Sequence, residues 1–326
     1  MYRIVYVLSL FVFLVACKDD KKPNRLLADA SGRINTVTVV MPKADWNGIL
    51  GSSVRKQLEK EYEGLPLVEP QLTVTYLPPS LFDGFAKHSR NIILFSEDSI
   101  AQAQLFQNLY AKPQRVAWIK GEDAEIQQFY FEENADLILR TITENERIEK
   151  MRRMRKSPAN PKDFSQEFDV NMLYPSAYTT FKKDTNFVWI QKEIPKGHLN
   201  LVMYAVDNQN MSANTGDKIL NIRDSIGKKY IPGRLPDTYM ATESAYRPYF
   251  YKTKLDGKNT FITKGMWSVA NDYMAGPFVH YLIQDTLKKR WLAVEGFTFA
   301  PSVNKREYMF ELETMIQSVQ FRTEKN

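Results

Sequence analysis

The chain has 326 residues, of which 44% are apolar and 25% are charged. This composition is that of a folded globular protein, and it excludes an intrinsically disordered chain. The formal net charge is +6 and there is a single cysteine, so a disulfide framework and cysteine-based metal sites are excluded as well. At this length the chain can form two domains or one large hydrophobic core.

The first residues have the features of an export signal. The apolar run at residues 4–16 is 13 residues long, whereas a membrane-spanning helix needs roughly 20. Arg3 gives a positive start, and Ala16 puts a small residue before the cleavage point. The sequence Leu14-Val15-Ala16-Cys17 resembles a bacterial lipobox. We therefore predict a signal peptide at residues 1–16 and lipidation of Cys17, with palmitate among the acyl chains.

Residues 17–33 are predicted to be a flexible tether, because their first part is charged and contains nothing to bury. Within it, Lys18-Asp19-Asp20 resembles the signal that directs some Bacteroidota lipoproteins to the outer face of the outer membrane. The alternative is a solvated linker without address information. We expect a lipid-anchored protein of the cell envelope, in the outer membrane, and leave its periplasmic or surface location open.

Residues 34–156 are predicted to form an α+β half. The β-branched residues 36–41 begin it as a strand, and the four-residue spacing of Leu50, Val54, Leu58 and Tyr62 predicts a helix capped by Asp45. Further strands are predicted at residues 71–76, 91–95 and 114–120, a short helix capped by Ser80, and helices at residues 99–110 and 123–156. In the helix predicted at residues 123–156, Glu146 with Lys150 and Glu149 with Arg153 have the spacing of ion pairs.

The Pro-rich residues 157–163 are predicted to be a linker to a second α+β half at residues 164–326. Residues 77–97 align with residues 173–193 at a constant offset of 96, and Leu, Pro, Ser, Phe, Lys and Glu recur in both. The same order of elements follows each copy. We therefore predict an internal repeat, so that the two halves are related.

The second half is predicted to contain strands joined by tight turns. They lie at residues 238–254, 259–269, 277–286 and 290–300, with Asp256-Gly257 as one of the turns. A final helix begins at Asn304 with Glu307 three residues on, as in a capping box. Its predicted buried stripe consists of Tyr308, Leu312, Met315 and Val319. The fold class is α+β, with antiparallel or mixed sheets and helices packed on one face.

Three segments of the second half resemble domain-of-unknown-function family 4837, a family of Bacteroidota lipoproteins. The segments are residues 222–233, residues 274–279, and Glu295-Gly296-Phe297 with residues 300–303. The resemblance extends over nearly all of the chain after the signal peptide. It implies a lipoprotein anchored in the envelope and supplies no established reaction.

Glu243 and Glu295 are the best candidates for a catalytic carboxylate pair, because each lies within an apolar, aromatic strand. Glycosidases use two carboxylates that face each other across a cleft. The alternative is a structural ion pair, since a buried carboxylate needs a partner such as Arg223, Arg247 or a lysine.

An aromatic stretch beside these carboxylates is a candidate binding surface for sugars or peptides. It consists of Tyr246, Arg247, Tyr249 and Tyr251, with Trp267 nearby in sequence. Rings next to an arginine suit polyols and anionic polymers. The alternative is ordinary packing within the sheet, where alternating aromatic residues are common.

The sequence predicts neither a metal site nor a cofactor. The three histidines, His88, His198 and His280, are far apart in the chain, and none has the spacing of zinc ligands. The basic residues 150–156 can bind an anionic polymer or lipid headgroups, or can form a solvated helix end whose charges offset the helix dipole.

We expect a non-enzymatic binding or scaffold module for an envelope polymer or a partner protein, attached to the membrane through Cys17. Nucleic acid is not an expected partner, because an exported protein rarely meets it. Two alternatives stay open: a hydrolase acting on glycan or peptide through Glu243 and Glu295, and an outer-membrane assembly chaperone with an apolar groove.

Overall fold

Each half of the chain builds its own main β-sheet, and the two sheets differ in strand direction. The structure is a computed structural model that describes residues 26–207, 215–270 and 272–322. The predicted signal peptide, Cys17 and Lys18-Asp19-Asp20 lie outside these residues. No helix within the described ranges is long and apolar enough to cross a bilayer.

The helices are α1 (Lys43–Asn47), α2 (Ile49–Leu58), α3 (Ala124–Met154), α4 (Lys162–Phe168), α5 (Thr215–Tyr230) and α6 (Arg306–Ile316). Two 3₁₀ segments lie at Pro79–Leu81 and Gly84–His88. The strands of the first half are β1 (Ala28–Asp29), β2 (Thr36–Val40), β3 (Thr73–Leu77), β4 (Asn91–Glu97), β5 (Gln102–Gln107), β6 (Ala111–Lys112) and β7 (Arg115–Gly121). Those of the second half are β8 (Val170–Asn171), β9 (Thr179–Asp184), β10 (Phe187–Ile194), β11 (Gly197–Asp207), β12 (Met240–Thr242), β13 (Tyr249–Leu255), β14 (Lys258–Val269), β15 (Ala275–Asp285), β16 (Arg290–Phe299) and β17 (Gln320–Phe321).

The first half contains a five-stranded mixed sheet in the order β3-β2-β4-β7-β5. β2, β3, β4 and β7 run parallel, and β5 runs antiparallel to β7. α2 and α3 cover one face, where the predicted stripe Leu50, Val54 and Leu58 is buried in one cluster with strand residues such as Val37. The sequence pattern therefore placed the buried face of α2 correctly as far as Leu58, but the helix ends there and Tyr62 lies beyond it.

Several local predictions in the first half are wrong. Residues 99–110, predicted to be a helix, contain β5, because pairing with β7 brings Phe106 opposite Val116 and outweighs the local helical spacing. Asp45 lies inside α1 rather than capping α2, because Gly48 separates the two helices. Ser80 lies within a 3₁₀ segment and caps no helix.

The long predicted helix is confirmed as α3, whose N-terminus is capped by Asp123 accepting a hydrogen bond from the Ile126 backbone N–H at 2.8 Å. Glu149 pairs with Arg153 as the spacing predicts, at 2.7 Å. The predicted pair of Glu146 with Lys150 does not form. Glu146 is fully buried and accepts from Arg90 Nε at 2.7 Å instead, so it fixes α3 to the start of the sheet.

The second half contains an eight-stranded antiparallel sheet in the order β12-β14-β15-β16-β11-β10-β9, with β13 also paired to β14. The predicted strand at residues 238–254 is in fact two strands, β12 and β13, which pair with different parts of β14. The α+β fold class is confirmed. Helices cover both faces of this sheet rather than one: α4 and α6 lie on one side and α5 on the other.

The predicted repeat remains a prediction. β4 and β10 do fall at the predicted offset, but β4 lies between parallel neighbours whereas β10 lies between antiparallel ones. The end of the predicted linker at residues 157–163 is helical in the structure, because α4 already begins at Lys162.

Helix α6 lies where the two halves meet. The predicted buried residues Leu312, Met315 and Val319 belong to a core cluster that also contains Leu65 and Met154 from the first half. Asn304 does not cap α6. The Glu69 carboxylate instead binds the first backbone N–H groups of α6, accepting from Lys305 N at 2.7 Å and from Arg306 N at 3.0 Å.

Candidate functional site

A polar cavity of about 150 Å³ lies between the two halves of the chain. Its walls come from both halves, and we call it the inter-half cleft. The first half contributes Asn35, Tyr62, Glu63, Gln71, Thr143 and Arg147, and the second half contributes Lys264, Phe310, Glu313 and Thr314.

The floor of the inter-half cleft is the carboxylate of Glu313 on α6. It accepts hydrogen bonds from Tyr281 Oη at 2.9 Å, from Lys264 Nζ at 3.0 Å and from Tyr62 Oη at 3.1 Å. Burial opposes its charge, but the ammonium of Lys264 and the hydrogen bonds outweigh burial and lower the pKa of the carboxyl. Glu313 is therefore a fixed anion at neutral pH.

The two tyrosines that bind Glu313 stay protonated. Burial first, and then the charge of Glu313, raise the pKa of Tyr62 and of Tyr281 well above the ordinary value of a phenol. Both hydroxyls therefore donate to the carboxylate across the whole physiological pH range. Tyr281 also accepts a hydrogen bond from Gln317 Nε2 at 2.9 Å, which fixes its position.

A loop of the first half carries Tyr62 into the cleft. The backbone of Tyr62 donates to the carbonyl of Glu69 at 2.8 Å, and Leu65 is buried in the core around α6. Gly64 has φ +87°, and a Cβ there would lie only 3.0 Å from Cβ of Lys264. A side chain at position 64 would be strained by the positive φ and crowded by Lys264, whereas glycine lets the loop pack directly against β14.

The rim of the cleft is formed by tyrosines of the edge strand β13 and the segment before it. Tyr251 donates its hydroxyl to Glu63 at 2.5 Å, and Glu63 lines the cavity. Burial and the charge of Glu63 raise the pKa of Tyr251. Tyr246 lies beside Tyr249 and the backbone of Gly64, and burial raises its pKa as well.

Two family models divide the chain at the end of α3. Residues 157–318 match the model for a domain of unknown function, DUF4837. Residues 30–155 match a second domain of unknown function, DUF8532. All three sequence segments that suggested the first family lie within the DUF4837 match. The resemblance is thus confined to the second half and does not extend over nearly the whole chain, because the first half matches a different model.

Solved structures show distant likenesses only. The yeast (Saccharomyces cerevisiae) Ran-binding protein Mog1p is 9% identical, covers 47% of this chain and 89% of its own, and has a TM-score of 0.31. LpqN, involved in cell envelope biogenesis of Mycobacterium tuberculosis, is 9% identical, with coverage of 46% and 82% and a TM-score of 0.30. The lipid transfer and protein localization domain of human StarD13 is 9% identical, with coverage of 43% and 88% and a TM-score of 0.24. No curated protein matches the chain.

The structure places most of the predicted aromatic surface at the cleft. Tyr246, Tyr249 and Tyr251 lie at its rim, and Arg247 is exposed beside them. Trp267 has to be removed from this surface. It is 3% exposed and packs in the core under α5, with its ring centroid 5.8 Å from that of Phe297.

The predicted carboxylate pair does not face an open cleft. Glu295 is 1% exposed and accepts from Arg223 Nη2 at 2.8 Å beneath α5. The structural alternative, an ion pair with Arg223, is therefore confirmed for Glu295. Glu243 lies on the turn after β12, where its carboxylate accepts from the Ala245 backbone N–H at 2.9 Å, and that bond lowers its pKa.

The buried charges under α5 form a sealed network. Arg223 also donates to Thr242 Oγ1 at 3.0 Å, and its guanidinium lies 3.8 Å from the ring centroid of Phe278. Burial raises the pKa of the Glu295 carboxyl despite the arginine. His280, the register partner of Glu295 on β15, is hydrogen-bonded to Tyr204 at 3.0 Å.

The three histidines lie on three different elements, and three residues of the basic run form ion pairs. His280 is buried under α5, His88 ends a 3₁₀ segment, and His198 pairs with Glu193 on a neighbouring strand. Within the described ranges, no group of three or more His, Cys, Asp or Glu side chains is placed to hold a metal ion. Of the basic run, Lys150 pairs with Glu311, and Arg152 and Arg153 pair with Glu149.

Sequence reasoning missed the residues that build the cleft, which are Tyr62, Glu63, Arg147, Lys264 and Glu313. Their sequence signals are weak, because they come from distant parts of the chain. One signal was available: Glu311 and Glu313 flank Leu312 at the centre of the predicted buried stripe. A charged residue at such a position needs a partner from another element.

Proposed function

We propose that the protein is a lipid-anchored binding protein of the cell envelope whose inter-half cleft holds a hydroxyl-rich group of an envelope polymer, such as a sugar residue. The observation that carries this proposal is the cleft itself. It brings charged and polar side chains of both halves around one cavity, with tyrosines at its rim.

The charges of the cleft favour an uncharged ligand rich in hydrogen-bonding groups. Arg147 and Lys264 supply two cations, and Glu63 and Glu313 supply two carboxylates. Because these charges balance, the cavity offers both donors and acceptors without a strong net field. Hydroxyl groups, which donate and accept, match such a lining.

The size and the rim of the cleft also suit a sugar. A cavity volume of about 150 Å³ is well above the ~10–15 Å³ that holds one water molecule, so the cleft has room for several hydroxyl groups. Ligand sites combine ring surfaces with a few convergent polar groups. The tyrosines of β13 supply such ring surfaces next to the polar floor.

The envelope location in this proposal is supported by the lipobox-like Leu14-Val15-Ala16-Cys17 and by the family resemblance of the second half. A chain held at the membrane by several acyl chains stays bound. A binding module anchored in this way would keep a polymer close to the membrane without modifying it.

Oligosaccharide titration of single variants tests the proposal. The probes are maltotetraose and the tetramer of N-acetylglucosamine, and binding is followed by calorimetry. For whichever probe binds the wild type, Tyr249→Ala should weaken binding by about fivefold, since one stacked ring contributes on the order of 1 kcal/mol. Phe250→Ala is the matched control, because Phe250 lies on the same strand and faces Gly216 of α5.

Equal affinities of the wild type, the Tyr249→Ala variant and the Phe250→Ala variant would contradict binding in the cleft. Failure of both probes to bind the wild type at millimolar concentration would contradict the sugar class itself.

A further inference from the structure

The described part of the chain begins beside the 3₁₀ segment Gly84–His88. The backbone N–H of Ser31 donates to the carbonyl of His88 at 2.8 Å, and Arg90 N donates to the carbonyl of Ser31 at 3.0 Å. Just before this point, β1 runs parallel to β6. The tether therefore enters the fold along one side of the first half.

This side of the molecule exposes three large apolar side chains. Leu26 is 98% exposed, Phe85 is 75% exposed and Leu81 is 62% exposed. Single exposed apolar residues are ordinary on a protein surface, but these three lie on the side of the fold where the tether enters. The ring of Phe85 is 5.5 Å from that of His88, whose carbonyl holds Ser31.

The backbone presents Phe85 rather than packing it inward. Gly84, immediately before it, has φ +48° and nothing within 4 Å of where a Cβ would be. Phe82, on the other side of Gly84, is partly buried against the sheet cluster of Val40, Ile92 and Val116. The segment is therefore anchored by Phe82 and projects Phe85 into the surroundings.

The length of the tether limits what this surface can meet. Leu26 lies nine residues after Cys17, so the chain between them spans at most about 30 Å, and about 17 Å on average if it is flexible. A lipid on Cys17 would hold this side of the fold within that distance of the bilayer.

Charge does not dominate this surface. Lys87 donates to Asp83 at 2.9 Å, and Lys112 lies on β6 next to Asp29 on β1. Both lysines are thus accompanied by carboxylates, and the basic end of α3 reaches the entry of the tether, where Arg153 donates to the carbonyl of Gly32 at 3.1 Å. The exposed apolar side chains next to a short lipidated tether match a bilayer surface.

We infer that Leu81 and Phe85 rest in the interfacial layer of the membrane into which the lipid of Cys17 inserts. This inference rests on the lipid anchor of the proposed function. The contact would fix the orientation of the folded body at the membrane, in addition to the attachment that the tether provides.

A single labelled position tests the contact on the acylated full chain. Because Cys17 is the only cysteine in the sequence and its sulfur is blocked by the lipid, Phe85→Cys introduces one free thiol for an environment-sensitive dye. The control is Phe181→Cys on the edge strand β9, where the native ring is 59% exposed. Both proteins are placed in vesicles of phosphatidylethanolamine and phosphatidylglycerol.

We expect the dye at position 85 to shift to the blue and to be quenched by a lipid-borne nitroxide about threefold more strongly than the dye at position 181, as for a side chain at interfacial depth. Vesicle-bound protein in which both dyes are equally accessible to aqueous iodide would overturn the contact while leaving the anchor intact. Protein that carries no lipid and does not float with vesicles would overturn both. Oligosaccharide binding in the cleft is measured separately and does not depend on either result.

Discussion

Two buried carboxylates in the second half show what separates a candidate site from a structural ion pair. Glu313 and Glu295 are both held by cationic side chains, Lys264 and Arg223. Glu313 nevertheless borders a cavity that both halves line, whereas Glu295 lies sealed beneath α5. Their pKa values move in opposite directions, downward for Glu313 and upward for Glu295.

The difference follows from the donors that each carboxylate can reach. Glu313 receives three hydrogen bonds from three elements, including one from the other half. Glu295 accepts a hydrogen bond from the guanidinium of Arg223, and the same guanidinium also donates to Thr242. A charge that several donors stabilise beside an accessible cavity can meet a ligand. A charge compensated by one partner in a closed core serves the fold.

The largest expected effect is on stability, when the sealed pair is broken. Arg223→Met leaves Glu295 buried without its cation, and we expect the free energy of unfolding to fall by about 3–5 kcal/mol. Denaturant unfolding measures it. The double variant Arg223→Met/Glu295→Met should recover most of the loss, since it removes both charges. A single variant as stable as the wild type would contradict the sealed-pair interpretation.

The free energy of unfolding, measured as the pH is lowered, should show the contributions of the two regions in different pH ranges. Burial, and then the charge of Arg223, lower the pKa of His280 to about 3 from an ordinary value of 6.5. Between these values the unfolded chain binds a proton that the folded chain does not. His280 therefore makes the free energy of unfolding fall as the pH falls, by about 1.4 kcal/mol per pH unit.

The variant His280→Gln should lack this contribution, and unfolding measured from pH 7 to pH 5 gives the slope. The raised pKa of Glu295 acts in the opposite direction in both proteins, so the comparison between them isolates His280. Glu313, whose pKa is lowered, loses its contribution only below about pH 4.5. Identical slopes for the variant and the wild type above pH 5 would contradict the buried neutral imidazole.

The smallest effect is expected at the rim of the cleft. Tyr251→Phe removes the hydroxyl that binds Glu63, and this hydrogen bond is exposed to solvent. The free energy of unfolding should change by less than about 1 kcal/mol, because water replaces the lost bond. Binding of an oligosaccharide should weaken by only a few-fold. A loss of stability comparable to that of Arg223→Met would show that the rim is part of the core.

Sequence reasoning identified the elements whose signals are local. The stripes of α2 and α6 were visible because their residues lie three or four positions apart. The ion pair of Glu295 could be anticipated because a carboxylate inside an apolar strand requires a partner. Residues 99–110 misled the prediction, since an edge strand takes its conformation from its neighbour β7.

The cleft could not be found in the same way. Tyr62 and Glu313 are 251 positions apart, and Glu69 caps a helix that begins 237 positions later. Such contacts depend on how the two halves pack, which no local spacing encodes. The tyrosines of β13 were found by composition alone, and Trp267 was misplaced because strand pairing turns it towards α5.

Hydrogen exchange with and without a bound oligosaccharide tests the cleft most directly. We expect slower exchange of backbone amides at residues 61–64 and along β13, and unchanged exchange in α5 and β12 over the sealed pair. Protection confined to α5 and β12, or no protection at residues 61–64 at saturating ligand, would contradict the assignment of the inter-half cleft as the binding site.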